Sequence, residues 1–518
     1  MTGSAGFLIR VGRGLDSALF RTGDRAFLGF LCCAFLLLTA KISTSVFGGI
    51  PHIQDTEAQY VHAKIFARGS ITAPSHPIPQ FFQMPLMMNR DGEWYSQFPP
   101  GHTALLALGH LAHAPWLVNP VLGSLAILAI YFLARETHGL RAARIAALLT
   151  LLCPFVVFMS SEYMNHASAL LFTTLFVLFF VRSIRRGGVI NALAAGAALG
   201  MAFIIRPYTA FGMSIPFALV GLVLLWRAPR RNLRIFAPLI AVFLAFAALQ
   251  AGFNYRTNGD PFLYGYQVRY GEHHRPGFIE MPTMFMSGRH TFLRGVEQTA
   301  DNLVALNRHL FEWPLSSLIF IAVELLYLAR NRWSTLFLAS FLSLGGAYLF
   351  YFYQDLCFGP RFLYEASGLL IILTASGMLR VARLLGGTAA FARSSAAGLG
   401  AVGLVVIALY SISAAALLPA RVGRFSSDYW GVDGRFHVRL EKRPLQNALV
   451  LITGFYRNVS FNNPPSDGDR VIYARSFGDE DWRLMDHYAD RWVYLERGGE
   501  LRMIRGPGNP LQETIRPR

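Results

Sequence analysis

The chain has 518 residues, 53% of them hydrophobic and only 15% charged, with a mean hydropathy of +0.39 and repeated apolar runs, which excludes a soluble enzyme and describes a polytopic membrane protein. Its net charge of +17 would point a soluble chain towards nucleic acid, but here the excess lies in short Arg clusters between apolar runs, the pattern of cytoplasmic loops. Only Lys41, Lys64 and Lys442 are lysines, and Cys32, Cys33, Cys153 and Cys357 form neither a disulfide framework nor a zinc spacing.

Residues 1–25 carry Arg10, Arg13, Arg21 and Arg25, and an apolar run follows from Ala26 to about Val46. No small-residue cleavage site closes that run, which favours a retained first helix with a cytoplasmic N-terminus over a cleaved signal peptide. An outer loop, 47–116, comes next. It holds IPHIQDTEAQYVHAKIFARG (50–69), a Pro-rich part (ITAPSHPIPQ) and WYSQFPPGHTALLALGHLAH. The last piece is too short to cross a bilayer and, with His102, His110 and His113, reads as an interfacial helix.

Ten further apolar runs follow at about 117–134, 145–159, 167–182, 190–205, 209–226, 235–253, 313–329, 334–352, 362–379 and 396–418. With the N-terminus inside, the even junctions fall at Arg135 to Arg144, Arg182 to Arg186, Arg227 to Arg234, Arg330 to Arg332 and Arg380 to Arg393, all Arg-rich. The odd junctions then share the outer face: SSEYMNH, RPYTA, the loop 254–302, YQDLCFGPR and everything beyond Arg421. The expected fold is an all-α membrane domain (26–420) of about eleven spanning helices with a small extracytoplasmic α/β domain (421–518). In that domain NALVLIT, RVIYAR and RWVYLE read as strands, GDEDWRLMDHYA as a helix and NNPPSDGD as a turn.

Chemistry-bearing residues gather on the outer face. Within 50–69, Asp55 suits an N-cap and Gly69 a C′ residue of a short helix, which is a purely structural account. Asp55, Gln59 and His62 also fall at i, i+4 and i+7, so one face presents polar groups, and a carboxylate there has the means to take a proton from a hydroxyl. The second outer loop adds Glu162, Tyr163, Asn165 and His166, equally readable as a solvated cap. Arg206 and Tyr208 in RPYTA, and Arg361 and Tyr364 in GPRFLYEA, stand at outer helix ends. An Arg there either snorkels to headgroups or clamps a phosphate with its planar fork. A transporter or flippase is the competing class. Transporters place ionisable groups near the bilayer midplane, often in repeated halves; here Glu324 is the only acid well inside a predicted span, and no internal repeat is visible.

The order of these features resembles the GT-C membrane glycosyltransferases over roughly residues 20 to 385: an acidic pair after the first helix, a later FPPG, a short polar second outer loop, RPYTA, GPRFLYEA and an outer C-terminal domain. Within that class it is most similar to the family-39-like branch of protein O-mannosyltransferases and aminoarabinose transferases. The resemblance implies inverting transfer of a hexosyl or pentosyl group from a polyprenyl-phosphate donor to a hydroxyl of an envelope glycan, glycolipid or protein, in a bacterial inner or plasma membrane. A glycan polymerase would share such an outer site. The family's first-loop aspartate matches Asp55, the base; Glu57 stands near the second acid of the family's adjacent pair, although Thr56 intervenes. The aspartate usual in the second loop is replaced by Asn165 and His166, with Glu162 one turn earlier. Arg206, Arg361 and Lys64 are the candidate phosphate contacts, with Gln59, His62, Tyr208 and Tyr364 as further substrate contacts. Asp55, Glu57, Glu162 and His166 offer oxygen and nitrogen donors for a divalent metal, but no spacing demands one, and neither metal nor other cofactor is expected.

Overall fold

The structure, a computed structural model, describes residues 2–271, 274–280, 288–391, 393–426, 429–430, 432, 445–453, 470–497 and 500–508. Helices dominate. In chain order they are α1 (Thr2–Phe20), α2 (Asp24–Ser45), α3 (Gln54–Ala67), α4 (Pro100–Leu111), α5 (Val118–His138), α6 (Leu140–Leu151), α7 (Pro154–Met159), α8 (His166–Arg186), α9 (Val189–Ile205), α10 (Pro207–Arg227) and α11 (Pro229–Asn258). There follow α12 (Gly265–Tyr270), α13 (Phe292–His309), α14 (Ile319–Leu325), α15 (Arg332–Leu349), α16 (Ser367–Gly386), α17 (Ser395–Ile412) and α18 (Leu418–Ser426). Pro opens α4, α7, α10 and α11, where its missing N–H costs nothing. Gly139 (φ 87°) and Gly187 (φ 71°) turn the chain after α5 and α8 in the left-handed region.

Among the described residues, seven helical stretches are long and apolar enough to cross a membrane: Asp24–Ser45, Pro115–His138, His166–Arg186, Pro207–Arg227, Pro229–Asn258, Arg361–Gly386 and Ser395–Ser426; Val189–Ile205 is apolar but shorter. Two of the expected spans are interrupted. The run 145–159 breaks at Leu152 and restarts at Pro154, because a proline cannot continue the α6 hydrogen-bond ladder. In the run 313–329 only Ile319–Leu325 is α-helical: Ser316 Oγ donates to Asn307 Oδ1 (2.6 Å) and Ser317 N–H to Asn307 O (3.0 Å), which holds the preceding stretch as a turn.

The chain divides into two compact units. The first comprises 1–42, 119–252 and 270–421; the second comprises 43–118, 253–269 and 422–518, so the C-terminal segment belongs with the loop after α2.

In the first unit, charged residues sort to helix ends as the Arg parity requires. Asp24 pairs with Arg135 (2.8 Å) and Arg144, Asp16 with Arg141 (3.0 Å), and Glu136 with Arg182 (3.0 Å) and Arg186. Arg144 also donates to the carbonyls of Leu19 (2.7 Å) and Thr22 (2.6 Å), satisfying the C-terminus of α1. Glu324 pairs with Arg380 and accepts from Ser334 Oγ (2.7 Å), whose neighbour is His138 Nε2 (3.0 Å). The arginines of three predicted even junctions thus bind acids of the N-terminal segment (Asp16, Asp24), of the first even junction (Glu136) and of the predicted span 313–329 (Glu324). Most of the expected N-terminal segment is therefore a packed helix, Thr2–Phe20. A Cβ on Gly12 would sit 1.7 Å from Ala396 O and one on Gly400 2.2 Å from Leu8 O, so α1 and α17 meet backbone to backbone through glycines, as small residues allow in a membrane.

The second unit contains two sheets. β1 (Ala73–Pro74), β2 (Met87–Arg90) and β3 (Glu93–Ser96) form an antiparallel sheet in the order β1-β3-β2. β4 (Ala448–Ile452), β5 (Val471–Arg475), β6 (Trp492–Arg497) and β7 (Glu500–Arg505) follow the order β5-β4-β6-β7, parallel except for β7. The three expected strands and the helix Trp482–His487 are present; NNPPSDGD lies outside the described residues. β4 is buried at every position, as an apolar central parallel strand must be. Phe81 and Phe82 of the loop between β1 and β2 share a core with Leu449, Leu451, Ile472, Leu484 and Met485.

Candidate functional site

In the second unit, α3 carries the first-loop carboxylates. Its N-terminus is closed by Thr56, whose hydroxyl accepts from Ile53 N–H (3.2 Å) and donates to Ile53 O (2.7 Å). The expected cap, Asp55, is instead inside the first turn, partly exposed, where a carboxylate also suits the positive end of the helix dipole. Gly69 follows the C-terminus at φ 81°, as expected for C′. Glu57 is buried.

The expected polar face forms, but its members differ in availability. Gln59 Nε2 donates to Asp55 O at 3.1 Å, and Gln59 is buried. His62 is fully buried: Nε2 donates to Ile71 O (2.8 Å), so Nδ1 is the acceptor for Ser96 Oγ (2.8 Å) and Ser96 N–H (3.3 Å). Protonation would set a second donor against Ser96 N–H, and burial pushes the imidazole down to about 4. His62 thus ties α3 to β3 and works from behind the surface. Lys64 Nζ lies 5.3 Å from the Tyr60 ring centroid, and Tyr60 meets His110 edge-on at 4.5 Å. Burial and the charge of Lys64 push His110 down to about 4 as well.

In the first unit, the polar cluster is centred on a residue that the sequence alone did not single out, Glu365. The bend Cys357–Pro360 leads into a 3-10 turn, Arg361–Ala366, which buries Glu365. One carboxylate oxygen of Glu365 accepts from His166 Nδ1 (2.9 Å) and is ion-paired with Arg206 at 3.1 Å from Nε, whose N–H donates to Thr209 Oγ1 (3.1 Å). Arg206 stands between α9 and α10 because the residue before Pro207 is driven out of helical geometry (φ −141°, ψ 81°). Its Nη1 donates to Asn165 Oδ1 and His166 Nε2 (both 3.1 Å), and its Nη2 to Tyr348 Oη (3.2 Å). Since a guanidinium only donates, His166 Nε2 accepts and Nδ1 carries the proton, which fixes one neutral tautomer.

Every nitrogen of the Arg206 guanidinium therefore already has a protein partner. Asn165 and His166 are both spent on Arg206, and the counter-charge of Arg206 is Glu365. Tyr208 Oη donates to Ala347 O (2.6 Å), and Tyr364 is buried edge-on to Phe155 and His166. Arg361 pairs with Asp355 and lies over the Phe362 ring at 5.0 Å, the ring that also underlies Arg206 at 5.7 Å. Glu162 is buried in a turn stapled by Asn119, whose Nδ2 donates to Glu162 O and to Met164 O (2.9 Å). The signal for Glu365 was available: an Arg at the outer end of an apolar helix calls for a counter-charge, and GPRFLYEA offers one.

The structure brings together Asn165, His166, Arg206 and Tyr364 around Glu365, and Asp55, Gln59, His62 and Lys64 along α3. Among the described residues, no three His, Cys, Asp or Glu side chains gather as ligands for a metal ion.

Comparison with known proteins adds the class. Residues 102–251 match the family described as dolichyl-phosphate-mannose-protein mannosyltransferase. No curated protein matches in sequence. Among solved structures, ArnT from Cupriavidus metallidurans bound to undecaprenyl phosphate superposes with a TM-score of 0.55 at 13% identity, covering 91% of this chain and 93% of ArnT. Its apo state gives 0.52 at 12% identity, covering 92% and 94%. The Archaeoglobus fulgidus oligosaccharyltransferase AglB, in complex with an inhibitory peptide and a dolichol-phosphate, gives 0.40 at 14% identity, covering 82% of this chain and 62% of AglB. The chain is a membrane protein with the GT-C glycosyltransferase fold, and its segment 102–251 carries the sequence pattern of the mannosyltransferase family.

Proposed function

We propose that the protein transfers a hexosyl or pentosyl group from a polyprenyl-phosphate donor to a hydroxyl of an envelope glycan, glycolipid or protein, with inversion, on the extracytoplasmic side. The reading is carried by the fold, shared over nine-tenths of the chain with a protein whose structure holds undecaprenyl phosphate. Two further features support it. Glu324, the one acid deep in a predicted span, is consumed by Arg380 and Ser334 and so is not poised for transport. The polar residues from the odd junctions, by contrast, converge on Glu365.

In this mechanism Asp55 takes the acceptor proton while the hydroxyl oxygen attacks the anomeric carbon, and the lipid phosphate leaves with the bonding electrons. Glu57, two residues on in the same helix, is assigned as the second acid. Arg361 is assigned to the donor phosphate, with Lys64 as a second cation. Arg206 becomes a positioning residue, since its donors already hold Thr209, Asn165, His166 and Tyr348 and its charge is paired with Glu365. Glu162, in its stapled turn, is assigned as a further acid of the reaction. The reaction uses no metal: the phosphate is already an acceptable leaving group, and orientation supplies much of the rate.

Purified protein in nanodiscs, given a synthetic polyprenyl-phosphate carrying a radiolabelled sugar and an envelope acceptor extract, is expected to move label to acceptor in the presence of EDTA. Translocation of the lipid without transfer from any donor overturns the proposal in favour of a flippase.

A further inference from the structure

Helix α13 begins inside the expected outer loop 254–302, and its N-terminus is closed by Thr291, whose Oγ1 accepts from Arg294 N–H (3.3 Å). An ordinary surface helix has two faces; this one has three. Gly295, Asn302, Ala305 and Leu306 are buried, and a Cβ on Gly295 would sit 2.2 Å from Leu349 O, so this face lies against the last turn of α15. Phe292, Leu293, Val296, Leu303 and Val304 are all exposed. Glu297, Asp301 and Arg308 are exposed as well. At about 100° per residue the three groups occupy successive sectors of the circumference: one against protein, one apolar and one charged.

The apolar line does not stop at the helix. Phe292 meets Phe278 edge-on (6.0 Å between centroids), Phe278 packs on Phe350 (5.2 Å), and Phe350 is exposed about two turns beyond Leu342, which is exposed on α15. A ridge of apolar side chains thus leads from the flank of a helix in the expected span 334–352 on to α13. In a membrane protein the α15 end of that ridge faces acyl chains, so a water-soluble partner covering the α13 end would have to follow it into the bilayer. An apolar line beside a charged line, on a helix of mixed composition, is the pattern of segments that lie in the membrane plane. We propose that α13 lies in the membrane surface at the outer end of α15, with Phe292, Leu293, Val296, Leu303 and Val304 seated between headgroups and acyl chains and Glu297, Asp301 and Arg308 in water.

The inner side of the helix grips the stretch that follows α15. Gln298 Nε2 donates to Phe352 O (3.1 Å), Asn302 Nδ2 to Gln354 Oε1 (3.0 Å), and Gln354 Nε2 to Tyr348 O (2.8 Å). Tyr348 Oη in turn accepts from Arg206 Nη2 (3.2 Å), and Asp355 pairs with Arg361. A helix seated in lipid therefore sets the level, relative to the headgroups, of the segment between Tyr348 and Arg361, the residue assigned to the donor phosphate. That service rests on the transfer reaction proposed above; the seating in lipid does not.

The test uses the full chain in nanodiscs of phosphatidylcholine and phosphatidylglycerol. A nitroxide is attached at Leu293→Cys, Val304→Cys, Glu297→Cys or Asp301→Cys, one at a time, with Cys32, Cys33, Cys153 and Cys357 replaced by alanine. Its collisions with oxygen, which concentrates in lipid, are compared with those with a nickel chelate, which stays in water. The oxygen-to-nickel ratio at 293 and 304 is expected to exceed that at 297 and 301 by about tenfold or more. Equal ratios overturn the proposal by placing the helix in water. Weak collisions with both reagents at 293 and 304 also overturn it, since a protein surface, a second copy or another segment of this chain, then covers the line. If the cysteine-free chain melts below the native one, Val304→Trp in the native chain decides the same point: brominated lipid quenches the added emission if the side chain is in lipid and spares it if not. In the transfer assay, Leu293→Asp combined with Val304→Asp is expected to raise KM for the donor about fivefold or more with kcat little changed, and Glu297→Ala to alter neither. An unchanged KM overturns the service to the donor. If no transfer is found with any donor, the collision ratios still decide the seating, so the two readings fail separately.

Discussion

Asp55 and Thr56 divide two duties that the sequence had merged. Because Thr56 closes the helix, Asp55→Asn is expected to leave the melting temperature within about 0.5 kcal/mol equivalent of wild type while sugar transfer falls by roughly 10² to 10⁴. Near-normal transfer in that variant would move the base to Glu57 or Glu162. Glu365 carries a different burden: it is the counter-ion for a buried Arg206, and Glu365→Leu leaves that charge unpaired, at a cost of about 3–5 kcal/mol seen as a large drop in melting temperature. His62 makes stability depend on acidity. Its folded pKa, about 4, is below the unfolded value near 6.5, so the unfolded chain takes up a proton first as pH falls. Stability is complete above about pH 6.5 and is lost progressively towards pH 4, by up to about 3 kcal/mol. Melting curves between pH 7.5 and 5 should show this slope, and His62→Asn should start lower but respond less. The carboxylates of α3 were legible because they follow the first apolar run. Glu365 was harder to single out: the Arg206 charge called for an acid, but an acid within an apolar run reads as part of the span until its partner on another helix is known.

Among the elements, α1 was the least visible in advance: an Arg-bearing segment ahead of a span reads as a cytoplasmic tail. Its glycine contacts with α17 become apparent only when both helices are placed. They predict that Gly400→Leu, which would drive a Cβ towards Leu8 O, undocks α1 and costs about 1–3 kcal/mol, with new protease cleavage inside 2–20. Gly345→Ala in α15, where nothing lies within 4 Å, serves as the tolerated control. The short strands β1–β3 escaped for another reason: runs of two to four residues amid prolines carry no period long enough to detect. The strands β4–β6 were readable because each is an apolar or alternating run bounded by turn residues, and β7, with its mixed ELRMIR pattern, was not.

For the molecule as a whole, Arg clusters carried most of the information. Arg135, Arg182 and Arg380, arginines of the even junctions from which the alternation is read, pair with Asp24 of the N-terminal segment, Glu136 of the first even junction and Glu324 of a predicted span, while single helices break at Pro154 and before Ile319. What the alternation does not contain is which loops fold together. The second unit draws on 43–118, 253–269 and 422–518. During synthesis its first third emerges several hundred residues ahead of its last, so Phe81 and Phe82 wait, uncovered, for Leu449 and Leu451. A chain stopped after Arg421 is accordingly expected to insert its helices yet aggregate or be degraded, as followed by pulse-chase and size-exclusion chromatography, with co-expressed 422–518 restoring part of the yield. Completion of this unit is thus a late event: until 448–493 has joined it, Phe81 and Phe82 offer aromatic surface to whatever in the cell clears unfinished folds.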